Sequence, residues 1–185
     1  MQQFEINVDF NGIIIFDPER LQHYYSGIEA GTNLYRKFTT TEDGDEVVKQ
    51  GILVPIMGIN DSTYPVIVRM ADEESLIPED LIVLSNSAFP LHVKGRAVIA
   101  DMEVLMDWDV GPGWQDIAIS PGLYSVAING FRKIVEDKAA VYGYVVAKYG
   151  FEVVLTPTNA LPECTGSLTK DMQVNALPDE YFPSP

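Results

Sequence analysis

Residues 96–110, RAVIADMEVLMDWDV, alternate in character along their whole length. Val98, Ala100, Met102, Val104, Met106, Trp108 and Val110 are apolar. Asp101, Glu103, Asp107 and Asp109 stand between them, with Ala97, Ile99 and Leu105 in the remaining places. A period of two predicts a β-strand with one buried face, because successive side chains of a strand point to opposite sides. The opposite face then carries a row of carboxylates. A pleated strand spaces such side chains at about 6.5–7 Å, which makes a regular anionic ladder.

The rest of the chain repeats this pattern in shorter pieces. Phe4, Ile6, Val8 and Phe10 alternate with Glu5, Asn7 and Asp9, and Asn11-Gly12 separates that run from Ile13-Ile14-Ile15-Phe16. Asn-Gly between two such runs predicts a β-hairpin, since a type I′ turn needs positive φ at both central residues. Asp17-Pro18-Glu19 predicts a short helix near residues 17–26, with Asp17 as N-cap and Pro18 in the first helical position. Strands are expected around residues 34–40, from near Val47, and at 64–70. Two more are expected at 81–84 and 90–93, around a Ser-Asn-Ser turn. Residues 51–59 are apolar but contain Pro55, which cannot donate to a ladder and therefore suggests an edge strand or a bulge. Residues 71–80 are acidic, contain Pro78, and predict a loop with one helical turn. Gly111-Pro112-Gly113-Trp114 predicts a rigid turn. Asn129-Gly130 predicts a second hairpin, from 123–128 into 131–135. Residues 131–149 admit two readings. A helical period runs through Phe131, Ile134, Val135, Tyr142, Val145, Val146 and Tyr149, but the segment is rich in β-formers and holds Gly143, so strands are favoured. The chain is thus read as one domain, 1–185, mostly β: an antiparallel β-sandwich or partly closed barrel. The alternative is an α+β fold with a helix at 131–149. An irregular tail is expected from about residue 156.

Charge bounds the function. The 185 residues hold 27 acids against 12 Lys and Arg, a formal net charge of −15. Phosphates of nucleic acid and anionic membrane surfaces repel such a chain, so neither is expected as a partner. No apolar run approaches the length that spans a bilayer, and the N-terminus has no basic-then-apolar leader. The single cysteine, Cys164, permits no disulfide within the chain. It is read as a small half-buried side chain. These features make the cytoplasm the expected compartment. His23 and His92, the two histidines, are read as surface or hydrogen-bonded residues rather than catalysts.

The acids are unevenly spread. Between Met70 and Phe131 ten of them face only Lys94 and Arg96 as basic residues. Asp101, Glu103, Asp107 and Asp109 lead this group and form the candidate binding face. As a bland surface it would simply keep strands soluble and unpaired. As a functional one it would meet Lys and Arg of a basic partner protein. Asp107, Asp109 and Asp116, with Gly111 and Gly113 between them, offer oxygen ligands of the kind Ca²⁺ takes, but not at the spacing of an EF-hand loop. No metal site and no cofactor is assigned. The sequence holds no GxSxG elbow, P-loop, GxGxxG before a helix or HExxH, and no catalytic residue is assigned.

Ser120-Pro121-Gly122-Leu123-Tyr124-Ser125-Val126, followed by a charged loop and another β-rich run, resembles the late hairpin of small bacterial β-sandwich proteins, including competence-inhibitor and immunity-like families. The resemblance covers a small part of the chain and carries no functional residue over. The reading is a non-enzymatic binding protein that engages a basic partner through its acidic face, in the manner of an inhibitor or immunity protein. The alternative is a small ligand-binding or hydrolytic β-protein with Trp108, Trp114 and Tyr124 lining a pocket.

Overall fold

The computed structural model describes residues 1–109, 111 and 113–182. Val110 of the alternating stretch and Pro112 of the expected turn lie outside the described residues, as do the last three residues of the tail. The chain is mostly β, and the described residues build two sheets with no closed barrel among them. The strands are β1 (Gln2–Val8), β2 (Gly12–Phe16), β3 (Leu53–Met57), β4 (Ser62–Met70), β5 (Ile82–Val93), β6 (Ala97–Asp101), β7 (Gln115–Ile117), β8 (Gly122–Glu136) and β9 (Tyr144–Thr158). Three short helices, α1 (Pro18–Tyr24), α2 (Leu34–Thr40) and α3 (Asp43–Lys49), lie between β2 and β3 in the chain.

The larger sheet has the order β1-β4-β9-β8-β5 and the smaller one β3-β2-β6-β7. All pairings are antiparallel except β4 with β9. One cluster of buried residues draws on both sheets: Ile6 and Val8, Val66 and Val68, Phe151 and Val153, Val126 and Ile128 from the larger; Ile13–Phe16 and residues 97–100 from the smaller. Every residue of β2 is buried. It is one of two inner strands of a sheet covered on both faces, by the larger sheet on one side and by α2, α3 and the 3₁₀ turn Met102–Leu105 on the other. Pro55 sits in β3, an edge strand of the smaller sheet, where its missing N–H costs no ladder bond.

Helix α1 forms as its local signals require. Asp17 caps it by accepting from the N–H of Glu19 and Arg20, and Pro18 occupies the first position.

Several expectations are corrected. Asn11-Gly12 does turn the chain, with Asn11 at φ 55°, but β1 and β2 belong to different sheets and do not pair. The turn passes the chain from one layer to the other. Glycine is required at position 12 because a Cβ there would collide with the carbonyl oxygen of Ile56 on β3. Residues 34–40 and 43–49 are helices, not strands. Asn33 caps α2 through the N–H of Arg36 at 2.7 Å, and Leu34, Val47 and Val48 are buried. Residues 82–93 are one bulged strand rather than two. Asn129-Gly130 lies within β8, and the real hairpin joins β8 to β9 through residues 137–143. Residues 131–149 form strands, the favoured reading, and not the alternative helix: β8 continues to Glu136 and β9 begins at Tyr144. The alternating stretch leaves the sheet at Asp101 and enters the 3₁₀ turn Met102–Leu105.

The one parallel pair depends on a close approach. Gly150 has φ +154°, and a Cβ there would strike the Pro65 carbonyl of β4 and the Phe131 ring. Gly150→Ala is therefore expected to lower stability by at least about 1 kcal/mol. A urea denaturation curve of the variant would show this as an earlier midpoint.

Candidate functional site

The acidic site is assembled where both sheets end at the same corner. Asp101 is the last residue of β6, opposite Ile13 of β2. Its extended backbone and short carboxylate suit it to cap the 3₁₀ turn that follows, and its Oδ1 accepts from the Glu103 N–H at 3.1 Å. Its Oδ2 accepts from the backbone N–H of Asp9, just past β1, at 2.7 Å. One half-buried carboxylate thus ties the end of a strand in the larger sheet to the end of a strand in the smaller one.

That tie brings a third acid into place. Carboxylate oxygens of Asp9, Asp101 and Glu103 lie within 4.8 Å of one another. Glu5 and Asn7, on the exposed face of β1, extend the acidic edge, and the Asn7 amide donates to Asp9 Oδ2 at 3.1 Å. The amide of Gln115 donates to the Glu5 carbonyl at 2.9 Å and closes the far wall. Together these residues line an open groove of about 440 Å³. Among the described residues, none of Glu5, Asp9, Asp101 or Glu103 is ion-paired with a cation of this chain.

Asp101 holds its proton more tightly than an ordinary aspartate. Burial is the main cause, and the carboxylates of Glu103 and Asp9 add to it; the N–H donors of Asp9 and Glu103 work the other way. A cation entering the groove would relieve this crowding. Three carboxylates could also supply oxygen ligands to a hard divalent ion, though Ca²⁺ takes six to eight in full.

Two of the four expected face residues, Asp101 and Glu103, meet here. Asp107 and Asp109 do not continue a ladder from them, because the strand has ended. They are exposed on the segment beyond the 3₁₀ turn, on either side of buried Trp108. That segment is held by Trp108 N–H donating to the Thr32 carbonyl at 3.1 Å and by Gly31 N–H donating to the Trp108 carbonyl at 3.0 Å. Asp116 lies apart on β7, paired with Arg96 at 3.3 Å. Among the described residues, no cluster of three acids joins Asp107, Asp109 and Asp116. Asp9 was missed by sequence reasoning. Its place on the polar side of an alternating run was visible, but its meeting with Asp101 depends on how β1 and β6 are juxtaposed.

Of the aromatic residues proposed to line a pocket, Trp108 and Trp114 are packed against each other instead, while Tyr124 edges a cleft of about 300 Å³ beside Ile119 and Met70. Trp108 lies against Phe16 and Trp114 with ring centroids 6.1 and 5.3 Å away. Tyr124 donates its hydroxyl to the Ser120 carbonyl at 2.6 Å. An apolar cavity does exist elsewhere. About 290 Å³ lies between α2, α3 and the smaller sheet, lined by Ile14, Phe38, Val48, Met57, Met102 and Leu105 among others. Cys164 is half-buried against the core, and burial pushes its thiol up, away from nucleophilic use.

No family model matches the sequence, and no curated protein matches it. A solved structure described as "Crocagin biosynthetic gene J" matches with a TM-score of 0.48 and 13% identity, over 85% of this chain and 96% of that one. Likeness of that degree transfers no residue and no role. Among the described residues, no helix is long and apolar enough to cross a membrane.

Proposed function

We propose that this protein is a binding protein whose acidic groove receives cationic side chains of a basic partner. The observation that supports it is the convergence of Asp9, Asp101 and Glu103 within 4.8 Å of one another, beside Glu5. Like charges held this close repel, and a lysine or arginine from outside offsets that repulsion with hydrogen bonds to carboxylates. With a net charge of −15 behind it, the groove also steers cationic surfaces from a distance. Where the partner is a toxin or nuclease, the mechanism is occlusion of its basic cleft, as an inhibitor or immunity protein would act.

The test uses the full chain as bait in native lysate at low and at moderate salt, followed by kinetics on the purified captured protein. The double variant Asp9→Asn/Glu103→Gln is expected to slow association by about tenfold at low salt and to leave the fold intact. The difference should shrink as salt rises, because screening shortens the reach of the charges to about 8–10 Å. Unchanged association kinetics in the variant would remove the groove from the reading.

A second reading rests on the apolar cavity beneath α2 and α3. Its volume, about 290 Å³, is close to the lower end of ligand pockets. A thermal-shift screen of small apolar ligands, with Val48→Trp as the blocked control, would detect such an occupant.

A further inference from the structure

The β8–β9 ribbon runs on past the strands that flank it, with the Arg132 side chain donating to the Ala176 carbonyl at 2.9 Å and the Tyr144 and Tyr181 rings 5.0 Å apart. The ladder of β5 with β8 ends at the Ile82–Phe131 pair, and that of β4 with β9 begins at Val66–Phe151. Beyond those pairs, Arg132 to Glu136 of β8 are paired only with residues of β9, from Tyr149 to Tyr144. Among the described residues, 132–136 make no backbone hydrogen bond outside that ladder. The irregularity in the ladder falls on β9, where Ala147 is the extra residue, so the outer edge of β8 is continuous. A two-stranded ribbon is marginal by itself, and a free edge is a template for another strand.

The sequence along that edge is self-complementary. Arg132-Lys133 precede Ile134-Val135, and Glu136-Asp137 follow. Laid antiparallel against a second copy of itself, the cationic end meets the acidic end twice and the apolar centres meet each other. With Ile134 opposite its own copy, Arg132 stands opposite Glu136 on both sides of the two-fold axis. Shifted by one position to centre on Val135, Lys133 stands opposite Asp137. That second register also sets Arg132 against Lys138 and Ile134 against Glu136, so the one centred on Ile134 opposes only unlike charges, and directly opposed unlike charges stabilise a strand pair. Among the described residues, Lys133, Glu136 and Asp137 have no ion-pair partner within the chain.

Electrostatics also points to this edge rather than any other surface. Residues 131–150 carry a net +2, so the remainder of the chain carries −17. Two such bodies repel unless they meet through the ribbon. The five paired residues of β8 past Phe131 extend about 17 Å. That exceeds the Debye length of about 10 Å at 0.1 M ionic strength, so body-to-body repulsion is largely screened at contact.

We infer that the free edge of β8 at 132–136 is a self-association surface, where two copies of this chain pair antiparallel about a two-fold axis to join their larger sheets. The assembly is isologous, so it closes as a dimer and does not propagate.

The test is the molar mass of the full chain by sedimentation equilibrium, from micromolar to submillimolar concentration at about 0.1 M salt. The wild type is expected to pass from monomer to dimer. Arg132→Glu and Glu136→Arg, each alone, place like charges opposite one another in the register centred on Ile134 and should weaken the dimer by about tenfold or more. An equimolar mixture of the two variants should recover association, because positions 132 and 136 of the two copies then face each other with opposite charges at both contacts. That recovery separates edge pairing from damage to the ribbon. A wild type that stays monomeric throughout, or a dimer unmoved by either variant, would overturn the inference.

Discussion

Glu152→Ala should cost this protein about 3–5 kcal/mol of stability, the scale for breaking a buried ion pair by removing one partner. Glu152 is 1% exposed in the middle of β9, the central strand of the larger sheet. Its Oε1 accepts from Arg69 Nε at 2.9 Å and from the Ser75 hydroxyl, and its Oε2 accepts from Asn129 Nδ2 at 3.2 Å. Asn129 in turn accepts from Ser85 at 2.7 Å. A polar row therefore crosses β4, β9, β8 and β5 on the outer face of the sheet, under the loop that carries Ser75. Alanine would leave the Arg69 guanidinium charged, largely buried and without its carboxylate. Replacing both partners, as Arg69→Met/Glu152→Leu, should cost far less, since it removes the charges together. Burial opposes the Glu152 charge, yet the hydrogen bonds from Arg69, Ser75 and Asn129 outweigh it and hold the carboxyl below its ordinary range. A group depressed in the folded state binds fewer protons there than in the unfolded chain. Its contribution is therefore complete above the unfolded value and is lost as pH falls through the folded one. Urea midpoints across the acid range should fall less steeply in Glu152→Leu/Arg69→Met than in the wild type.

Asp17→Ala is the second large effect, expected at about 3 kcal/mol. Asp17 is fully buried and accepts from the N–H groups of Glu19 and Arg20 at 2.9 and 3.1 Å, and of Lys94 and Gly95 at 2.7 and 3.1 Å. The first pair is a helix cap, worth about 0.5–2 kcal/mol. The second pair fixes the turn between β5 and β6, and each N–H left unmade there costs about 1 kcal/mol or more. Arg20, one turn into α1, donates to the carbonyls of Gln50, Gly51 and His92 at 3.0, 2.7 and 3.3 Å. Asp17 and Arg20 together fasten α1, the end of α3 and the β5–β6 turn. Asp17→Asn keeps one acceptor oxygen and should lose roughly half as much. Equilibrium urea unfolding of the two variants would give the ratio.

What could be read from the chain follows the range of the forces involved. Helix α1 was legible because a cap and a first-turn proline act within three residues. The positive φ at Asn11 was legible for the same reason, but which strand the turn leads to was not, since β1 and β2 find partners far along the chain. Tyr35, Phe38 and the threonines of 39–41 favour strands locally; α2 forms because Asn33 caps it and Leu34 is buried in the core. The pair Asn129-Gly130 is a turn signal on its own, yet Asn129 is held in β8 by its bonds to Ser85 and Glu152. At the acidic site, Asp101 and Glu103 were identified and their surroundings were not. The carboxylate that completes the cluster, Asp9, arrives through a contact 92 residues away in sequence.

The order of strands in the larger sheet also sets an order in time. On the ribosome, β2, β3 and β6 of the smaller sheet are all made by residue 101 and can close on one another early. The larger sheet has no such option. Its middle strand, β9, joins the β1–β4 pair to the β5–β8 pair and is the last strand synthesised. Until it emerges, two hydrogen-bonded half-sheets wait with open edges, and the nascent chain is most exposed to unwanted strand pairing in the interval before residue 158 leaves the exit tunnel.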